Sequence, residues 1–245
     1  MLEIRGLSKK FGKAEVLKNF SHNFKPGAVT AIAGPNGSGK STLIKCITGL
    51  LKFSEGEILV AGQNTGKSYS YKKHIGYMSQ KPSFPENLTV AEILEFVKSV
   101  LNAEEFDTTL VELFDYKKEF DKKFGVLSGG NKQKLNAILT FLHKPEVLLL
   151  DEPTAGLDRE SGMILRDKII SGKNAGNTIV LTTHIPEEIA GLADYIILLE
   201  DGEKKGVLSN SQFISRFGAG LHFSDDKNKG EREDNSEYFI KSLAV

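Results

Sequence analysis

The chain has 245 residues, 40% hydrophobic and 26% charged, enough for one sizeable α/β core or two small ones. Its 32 basic residues balance 32 acidic ones, which removes the broad positive face of a general nucleic-acid binder, so no nucleic-acid partner is expected. Cys46 is the only cysteine, which excludes an intrachain disulfide and suits a reducing compartment.

The opening Met1-Leu-Glu-Ile-Arg5 reads as a strand and not as a basic, then apolar, leader. From there to about Phe24, short apolar runs broken by Gly6, Gly12 and Pro26-Gly27 predict an antiparallel β layer. Ala28 to Ala33 is apolar apart from Thr30, as in a strand buried on both faces. A glycine-rich turn follows, and Leu43, Ile44, Ile47, Leu50 and Leu51 then predict a helix over Ser41–Leu51 with one buried face. Strand, glycine-rich loop and helix together open a parallel α/β sheet.

Further strands are predicted at Glu57–Val60, Ile75–Met78, Val147–Leu150, Thr178–Leu181 and Tyr195–Leu199, with Asp201-Gly202 as a hairpin turn. Between Glu86 and Phe124 the periodicity turns helical, marking an insertion over about residues 86–135. The domain is expected to span residues 1–220. Residues 221–245 are expected to form a partly disordered tail, because Ser224 to Glu237 is almost wholly charged, polar or glycine. Tyr238 to Val245 is apolar enough to dock back. The longest apolar runs are strand-sized, short of the roughly 20 residues that cross a bilayer. Any membrane role is therefore that of a peripheral subunit.

Gly34-Pro-Asn-Gly-Ser-Gly-Lys40-Ser41 matches the phosphate-loop pattern G-x-x-x-x-G-K-[ST] in its strand-to-helix setting. Its glycines let backbone N–H groups wrap phosphate oxygens, and the following helix adds the positive end of its dipole. Gly34, Pro35, Asn36, Gly37, Ser38, Gly39, Lys40, Ser41 and Thr42 are accordingly candidate ATP-binding residues, with Lys40 reaching the β and γ phosphates. The Ser41 hydroxyl is a candidate Mg²⁺ ligand. Val147-Leu-Leu-Leu-Asp151-Glu152 ends a buried strand in two carboxylates. Asp151 is placed to hold the Mg²⁺ shell, and Glu152 to orient and deprotonate the attacking water.

Those two motifs occur in kinases, GTPases, helicases and transporters alike. Leu127-Ser128-Gly129-Gly130-Asn131-Lys132-Gln133, shortly before Asp151, discriminates among them, because it resembles the signature motif of ATP-binding cassette proteins. The resemblance runs from about residue 1 to 217 and implies a P-loop ATPase core with an antiparallel β layer and a helical insertion. It implies that Ser128, Gly129 and Gly130 bind the γ-phosphate in trans, on the opposite subunit of an ATP-sandwiched dimer. It also identifies Gln80 as the Q-loop glutamine near Mg²⁺ and water, Asp158 as a D-loop residue at the dimer interface, and His184 as the switch histidine. Phe11 is similar to the aromatic that stacks on adenine, with Val16 near the ribose.

Asn131 stands where the family commonly has glutamine, and Lys134 where arginine is common. Neither change removes a catalytic atom, and one chain carrying every motif implies a homodimer, with a heterodimer still open. Asn131-Lys-Gln-Lys134 is not a guanine-reading N-K-x-D motif, because its carboxylate position is lysine.

Within the family, the chain resembles export-type transporter ATPases. Residues 130–141 resemble, more weakly, subunits serving nitrous-oxide reductase maturation. A soluble ATPase of cofactor or metal-cluster assembly is the alternative. The transporter resemblance implies a separate membrane-spanning permease and a location on the cytoplasmic face of the membrane. A permease segment is then expected in a groove beside Lys81-Pro-Ser-Phe-Pro85, with Phe84 and the helix face of Val90, Ile93 and Leu94 as candidate lining, some of which must simply be core.

Overall fold

A computed structural model describes residues 1–101 and 105–217; the expected tail over 221–245 lies outside the described residues. The first half contains β1 (Leu2–Phe11), β2 (Ala14–Phe24), β3 (Ala28–Ala33), α1 (Lys40–Ile47), β4 (Glu55–Val60), β5 (Gln63–Asn64), β6 (Ile75–Met78), α2 (Val90–Leu101) and α3 (Thr109–Leu113). The second contains α4 (Gly129–Phe141), β7 (Val147–Asp151), α5 (Arg159–Asn174), β8 (Thr178–Thr182), α6 (Pro186–Leu192), β9 (Tyr195–Glu200), β10 (Glu203–Ser209) and α7 (Asn210–Phe217).

The alternating N-terminal pattern forms an antiparallel sheet of order β2-β1-β4-β5. Its inner face carries Leu2, Ile4, Leu7, Leu17, Phe20 and Phe24, packed in one cluster with Leu43, Ile44 and Ile47 of α1. The mainly apolar strands β3 and β6 to β9 form the second sheet, with the polar β10 at its edge, in the order β10-β9-β3-β8-β7-β6. Its β3, β7 and β8 are buried at every position, as expected where both faces are covered. Parallel pairing aligns Met78 with Leu150 and Leu150 with Leu181, so β6, β7 and β8 end at the same edge. Ligands of open α/β sheets gather outside such carboxyl ends. Asp201 and Gly202, at φ 47° and 78°, make the β9–β10 turn in the doubly left-handed form that suits a two-residue hairpin.

Two expectations change. The helix over Ser41–Leu51 stops at Ile47, because Gly49 turns left-handed at φ 73° and its amide bonds back to the Cys46 carbonyl. Leu50 is consequently exposed and contributes nothing to a buried face. Val90, Ile93 and Leu94 are core, packed with Leu110, Val111, Phe114 and Phe124, so they cannot line an open groove.

The stretch expected as an insertion over 86–135 is helical, but its last helix, α4, continues to Phe141 and packs on β6. The start of α2 is sealed by a reciprocal cap. Glu92 N–H donates to the Thr89 hydroxyl at 3.2 Å, and Thr89 N–H donates to the Glu92 carboxylate at 2.7 Å. No helix among the described residues is long and apolar enough to cross a membrane.

Candidate nucleotide site

β3 delivers the chain to the carboxyl edge of the sheet at Gly34, where only glycine fits. A Cβ there would lie 1.9 Å from the Leu199 carbonyl oxygen of β9. The loop then turns through Gly37 at φ 82° and Gly39 at φ 105°, and Gly39 ends it as the residue before α1, whose first turn has no side-chain cap. The α1 amides therefore face the loop mouth unclaimed by a side chain, an arrangement suited to anionic oxygens. The loop is braced from two sides. Gly202 N–H donates to the Ser38 carbonyl at 3.1 Å, and the Val16 carbonyl lies where a Cβ on Gly39 would collide at 2.9 Å. Pro35 accepts from Ser38 N–H at 3.2 Å, Asn36 and Gly37 are exposed, and Ser38 is buried with no partner for its hydroxyl among the described residues.

Lys40 curls into the mouth, its ammonium donating to the carbonyls of Gly34 at 2.7 Å and Pro35 at 2.9 Å. Burial pushes its pKa down, against the opposing pull of the Glu152 and Asp151 carboxylates. Ser41, on the first turn of α1, donates its hydroxyl to Asp151 Oδ1 at 3.2 Å, with Thr42 half-buried beside it. Asp151 is the buried last residue of β7 and also accepts from the Thr182 hydroxyl at 2.5 Å.

The next residue would ordinarily point away. Glu152 instead adopts φ 50°, rare for a residue with a Cβ, while its N–H donates to the Thr182 carbonyl at 3.0 Å. This turn aims Glu152 at the same edge as Asp151. There Gln80, just beyond β6, donates to Glu152 Oε2 at 2.9 Å, and His184, just beyond β8, places Nδ1 3.4 Å from Glu152 Oε1. Residues 80, 152 and 184, remote in sequence, thus meet beside the Ser41–Asp151 pair. A carboxylate hydrogen-bonded to an amide and approached by an imidazole, next to a hydroxyl–carboxylate pair and a phosphate-sized nest, is suited to activating water against a phosphoanhydride.

The other candidates lie elsewhere. Phe11 sits at the tip of the β1–β2 hairpin, 47% exposed, with Lys9 Nζ 4.4 Å from its ring centre. Its ring is not part of the core, and one face is met by the Lys9 ammonium. Val16 is half-buried on β2, near the loop. Ser128 caps α4 by accepting from Asn131 N–H at 3.2 Å, which leaves its own proton free to donate. Gly129 has open space where a Cβ would stand, and Gly130 lies beside the Gly156 carbonyl. Among the described residues, no hydrogen bond joins residues 128–130 to the phosphate loop.

Asp158 caps α5 through Ser161 N–H at 2.8 Å, and Lys134 approaches its other oxygen at 3.4 Å. The bond from Ser161 N–H, aided by the Ser161 hydroxyl and Lys134, holds its carboxyl down at about 2. Asn131 uses its carbonyl to accept from the buried Tyr116 hydroxyl at 2.6 Å, a contact indifferent to the side chain at 131.

Several members of this neighbourhood are silent in the sequence. Thr182 anchors Asp151; Asn136 donates to the Ser79 carbonyl at 2.7 Å, pinning the residue before Gln80; and Gln133 donates to the Pro153 carbonyl at 3.1 Å. Thr182 and Asn136 are ordinary strand and helix residues that no spacing pattern marks; Gln133 closes the signature-like run, but its hold on Pro153 is set by the tertiary packing and not by that spacing. The cap at Thr89 did carry a signal, T-x-x-E before an apolar run.

A family model described as "ABC transporter" matches residues 17–155. The lantibiotic transport ATP-binding protein SrtF of Streptococcus pyogenes is 36% identical over 208 residues, spanning 83% of this chain and 88% of that protein. Among solved structures, the ATP-binding subunit of an ABC transporter superposes with a TM-score of 0.84 at 26% identity, covering 98% of this chain and 99% of that one. A dimeric ATP-binding cassette in a post-hydrolysis state, bound to ADP and phosphate, superposes with a TM-score of 0.76 at 26% identity, covering 86% and 99%.

Proposed function

The chain belongs to the ABC transporter family, in which it is an ATP-hydrolysing subunit, and from that premise we propose which of its residues hold and cleave ATP and what it assembles with. One observation carries the reading. The Glu152 carboxylate, bonded to Gln80 and with His184 alongside, opens on the same mouth as Lys40, Ser41 and Asp151.

In the proposed arrangement the amides of Gly34 to Thr42 wrap the phosphates, Lys40 exchanges its loop carbonyls for phosphate oxygens, and Phe11 and Val16 flank the base and ribose. The oxygen donors Ser41 and Asp151, with the Gln80 amide oxygen left free by its N–H bond to Glu152, fit a hard divalent cation that keeps much of its water shell. Bound there, Mg²⁺ would neutralise charge on the phosphate oxygens. Glu152 accepts a proton from water as the water oxygen bonds to the γ-phosphorus and the bond to the ADP oxygen breaks. His184 steadies Glu152 and the departing phosphoryl group.

Half of each site is proposed to come from a second copy. The start of α4, with Ser128 capping and Gly129 and Gly130 bare, offers N–H groups and a hydroxyl with no counterpart in its own loop. A head-to-tail homodimer would lay it over the partner's γ-phosphate, with Asp158 at the interface. The dimeric cassette among the structural relatives supports this.

A separate permease on the membrane, with the ATPase on the cytoplasmic face, completes the proposal. The groove of about 310 Å³ between the residue 77–84 segment and α4, lined by Tyr77, Pro82, Phe84, Val97, Leu139 and His143, is where we place its docking segment. Export is our reading of direction, from the sequence resemblance. The relatives above do not bear on the narrower nitrous-oxide reductase likeness.

The test is dilution. Specific ATPase activity should rise with protein concentration and then level, as two chains combine into complete sites. Constant specific activity down to nanomolar monomer would overturn the sandwich.

A further inference from the structure

Behind the cluster of Gln80, Glu152 and His184 stands a carboxyl group that the reaction as described does not use. Glu188 is on the first turns of α6, four residues after His184. Its Oε1 accepts from the Thr154 hydroxyl at 2.6 Å, and its Oε2 is shielded from solvent with no hydrogen-bond partner among the described residues. Burial pushes its pKa up, against the bond from Thr154 and the nearby Thr183 hydroxyl and His184, while the Glu152 carboxylate adds to the rise. Keeping such a group in a short helix is unfavourable unless its position serves something.

Thr154 lies in the turn that leaves Glu152. Ala155 N–H closes that turn on the Glu152 carbonyl at 3.2 Å, and Leu157 N–H follows on the Thr154 carbonyl at 3.1 Å. The turn begins in the left-handed backbone of Glu152, a conformation that persists only where its surroundings hold it. Two side chains from different helices grip the turn. Gln133 of α4 donates to the Pro153 carbonyl, and Glu188 of α6 accepts from Thr154. The first grip comes from the helix that begins at Ser128, the second from the helix that follows His184.

We infer that Glu188 is a positioning residue for ATP hydrolysis: through Thr154 it fixes the turn that keeps the Glu152 carboxylate beside Gln80 and His184, and so locks the carboxylate and the histidine segment into one unit. The inference rests on the assignment of Glu152 as the base. Glu188 touches neither water nor phosphate in this scheme. Its effect is geometric, and losing it lets the turn relax toward ordinary backbone, withdrawing Glu152 from the mouth.

In the full chain with Mg²⁺ and ATP, Glu188→Ala and Thr154→Val are each expected to lower kcat by about 10- to 100-fold, the scale of a slightly misplaced catalytic group. KM for ATP and the thermal midpoint should stay near the parent values. The double variant should be no slower than the worse single one, because both remove the same bond. Glu188→Gln, which keeps an oxygen acceptor, and Thr154→Ser, which keeps the hydroxyl, should each recover most of the rate. A Glu188→Ala rate within twofold of the parent, multiplicative losses in the double variant, or losses shared equally by kcat, KM and stability would each overturn the inference. Should Glu188→Ala fail to fold, the Thr154→Val and Thr154→Ser pair decides alone. Glu152→Gln separates the two readings. If it is inactive while Glu188→Ala is at parent rate, only the Glu188 inference fails; if Glu152→Gln itself turns over normally, the base assignment fails.

Discussion

Gln80 donates its amide to Glu152 at 2.9 Å, so the carboxylate best placed to activate water is bonded to the residue that opens the proline-bearing loop 81–85. The same loop borders the groove containing Phe84, and Asn136 of α4 pins its base at Ser79. A segment pressing on the groove therefore has a short physical path to the carboxylate, one side chain long. The two prolines keep that loop out of helical geometry, which makes it a stiff connector.

Glu152→Gln keeps the shape and the contact with Gln80 while losing the ability to take a proton. Turnover should fall by about 10²–10⁴-fold, the usual size of a lost general base. ATP affinity should be unchanged, and an ATP-bound dimer should accumulate. Gel filtration with ATP, alongside a phosphate-release assay, reads both. Hydrolysis near the parent rate would show that another group takes the proton.

Phe11 presents an exposed ring that the core does not need. Phe11→Ala should weaken ATP by roughly 1–3 kcal/mol, the range of base–aromatic stacking, with little change in thermal midpoint. Phe11→Tyr retains the π-face and should bind nearly as the parent does. Titration of a fluorescent ATP analogue distinguishes them, and equal affinity in the alanine variant would remove Phe11 from the site.

Phe84 packs edge-on against Phe124, with ring centres 5.6 Å apart, and still faces the groove. Phe84→Asp places a charge where an apolar anchor would seat. Co-expressed with its permease, the variant should no longer co-purify with it, whereas its ATP affinity should match the parent's. Retained co-purification would move the docking surface elsewhere.

His22 gives a pH dependence of stability unrelated to catalysis. Burial, and secondarily Lys204, lower its pKa to about 4, and its ring meets Phe24 edge-on. An unfolded histidine titrates near 6.5. Between those values the unfolded chain binds the proton and the folded chain does not. The contribution is therefore complete above about pH 6.5 and is lost as pH falls toward 4. His22→Gln should flatten this limb: on acidification from about pH 7.5 to about pH 5, its midpoint should drop less than the parent's, by on the order of a few degrees. Parallel curves would mean that His22 titrates alike in both states.

Local chemistry was legible in the linear chain. The buried strands at Ala28–Ala33 and Val147–Leu150 announce themselves by apolar runs interrupted only at Thr30, and Gly34 to Ser41 by a spacing that matches a phosphate loop. The α1 terminus departs from the pattern because apolar Leu50 and Leu51 continue the period, while the left-handed turn at Gly49 ends the helix regardless. Val90, Ile93 and Leu94 show the converse limit. A helical stripe says that a face is covered, and only the arrival of Leu110, Phe114 and Phe124 says by what.

Element types, the glycine-rich loop at Gly34 to Ser41 and the carboxylate pair at the end of β7 can be read from the linear chain, because each depends on neighbours within a few residues. Tertiary structure alone decided that Gln80, Glu152 and His184 share one point, that Glu152 turns left-handed to reach it, and that Glu188 and Gln133 grip the turn behind it. Those relationships arise from the parallel order β6-β7-β8, which brings three strand ends to one edge. Strand order is set by the packing of the whole core, to which residues hundreds of bonds apart contribute, and no local pattern encodes it.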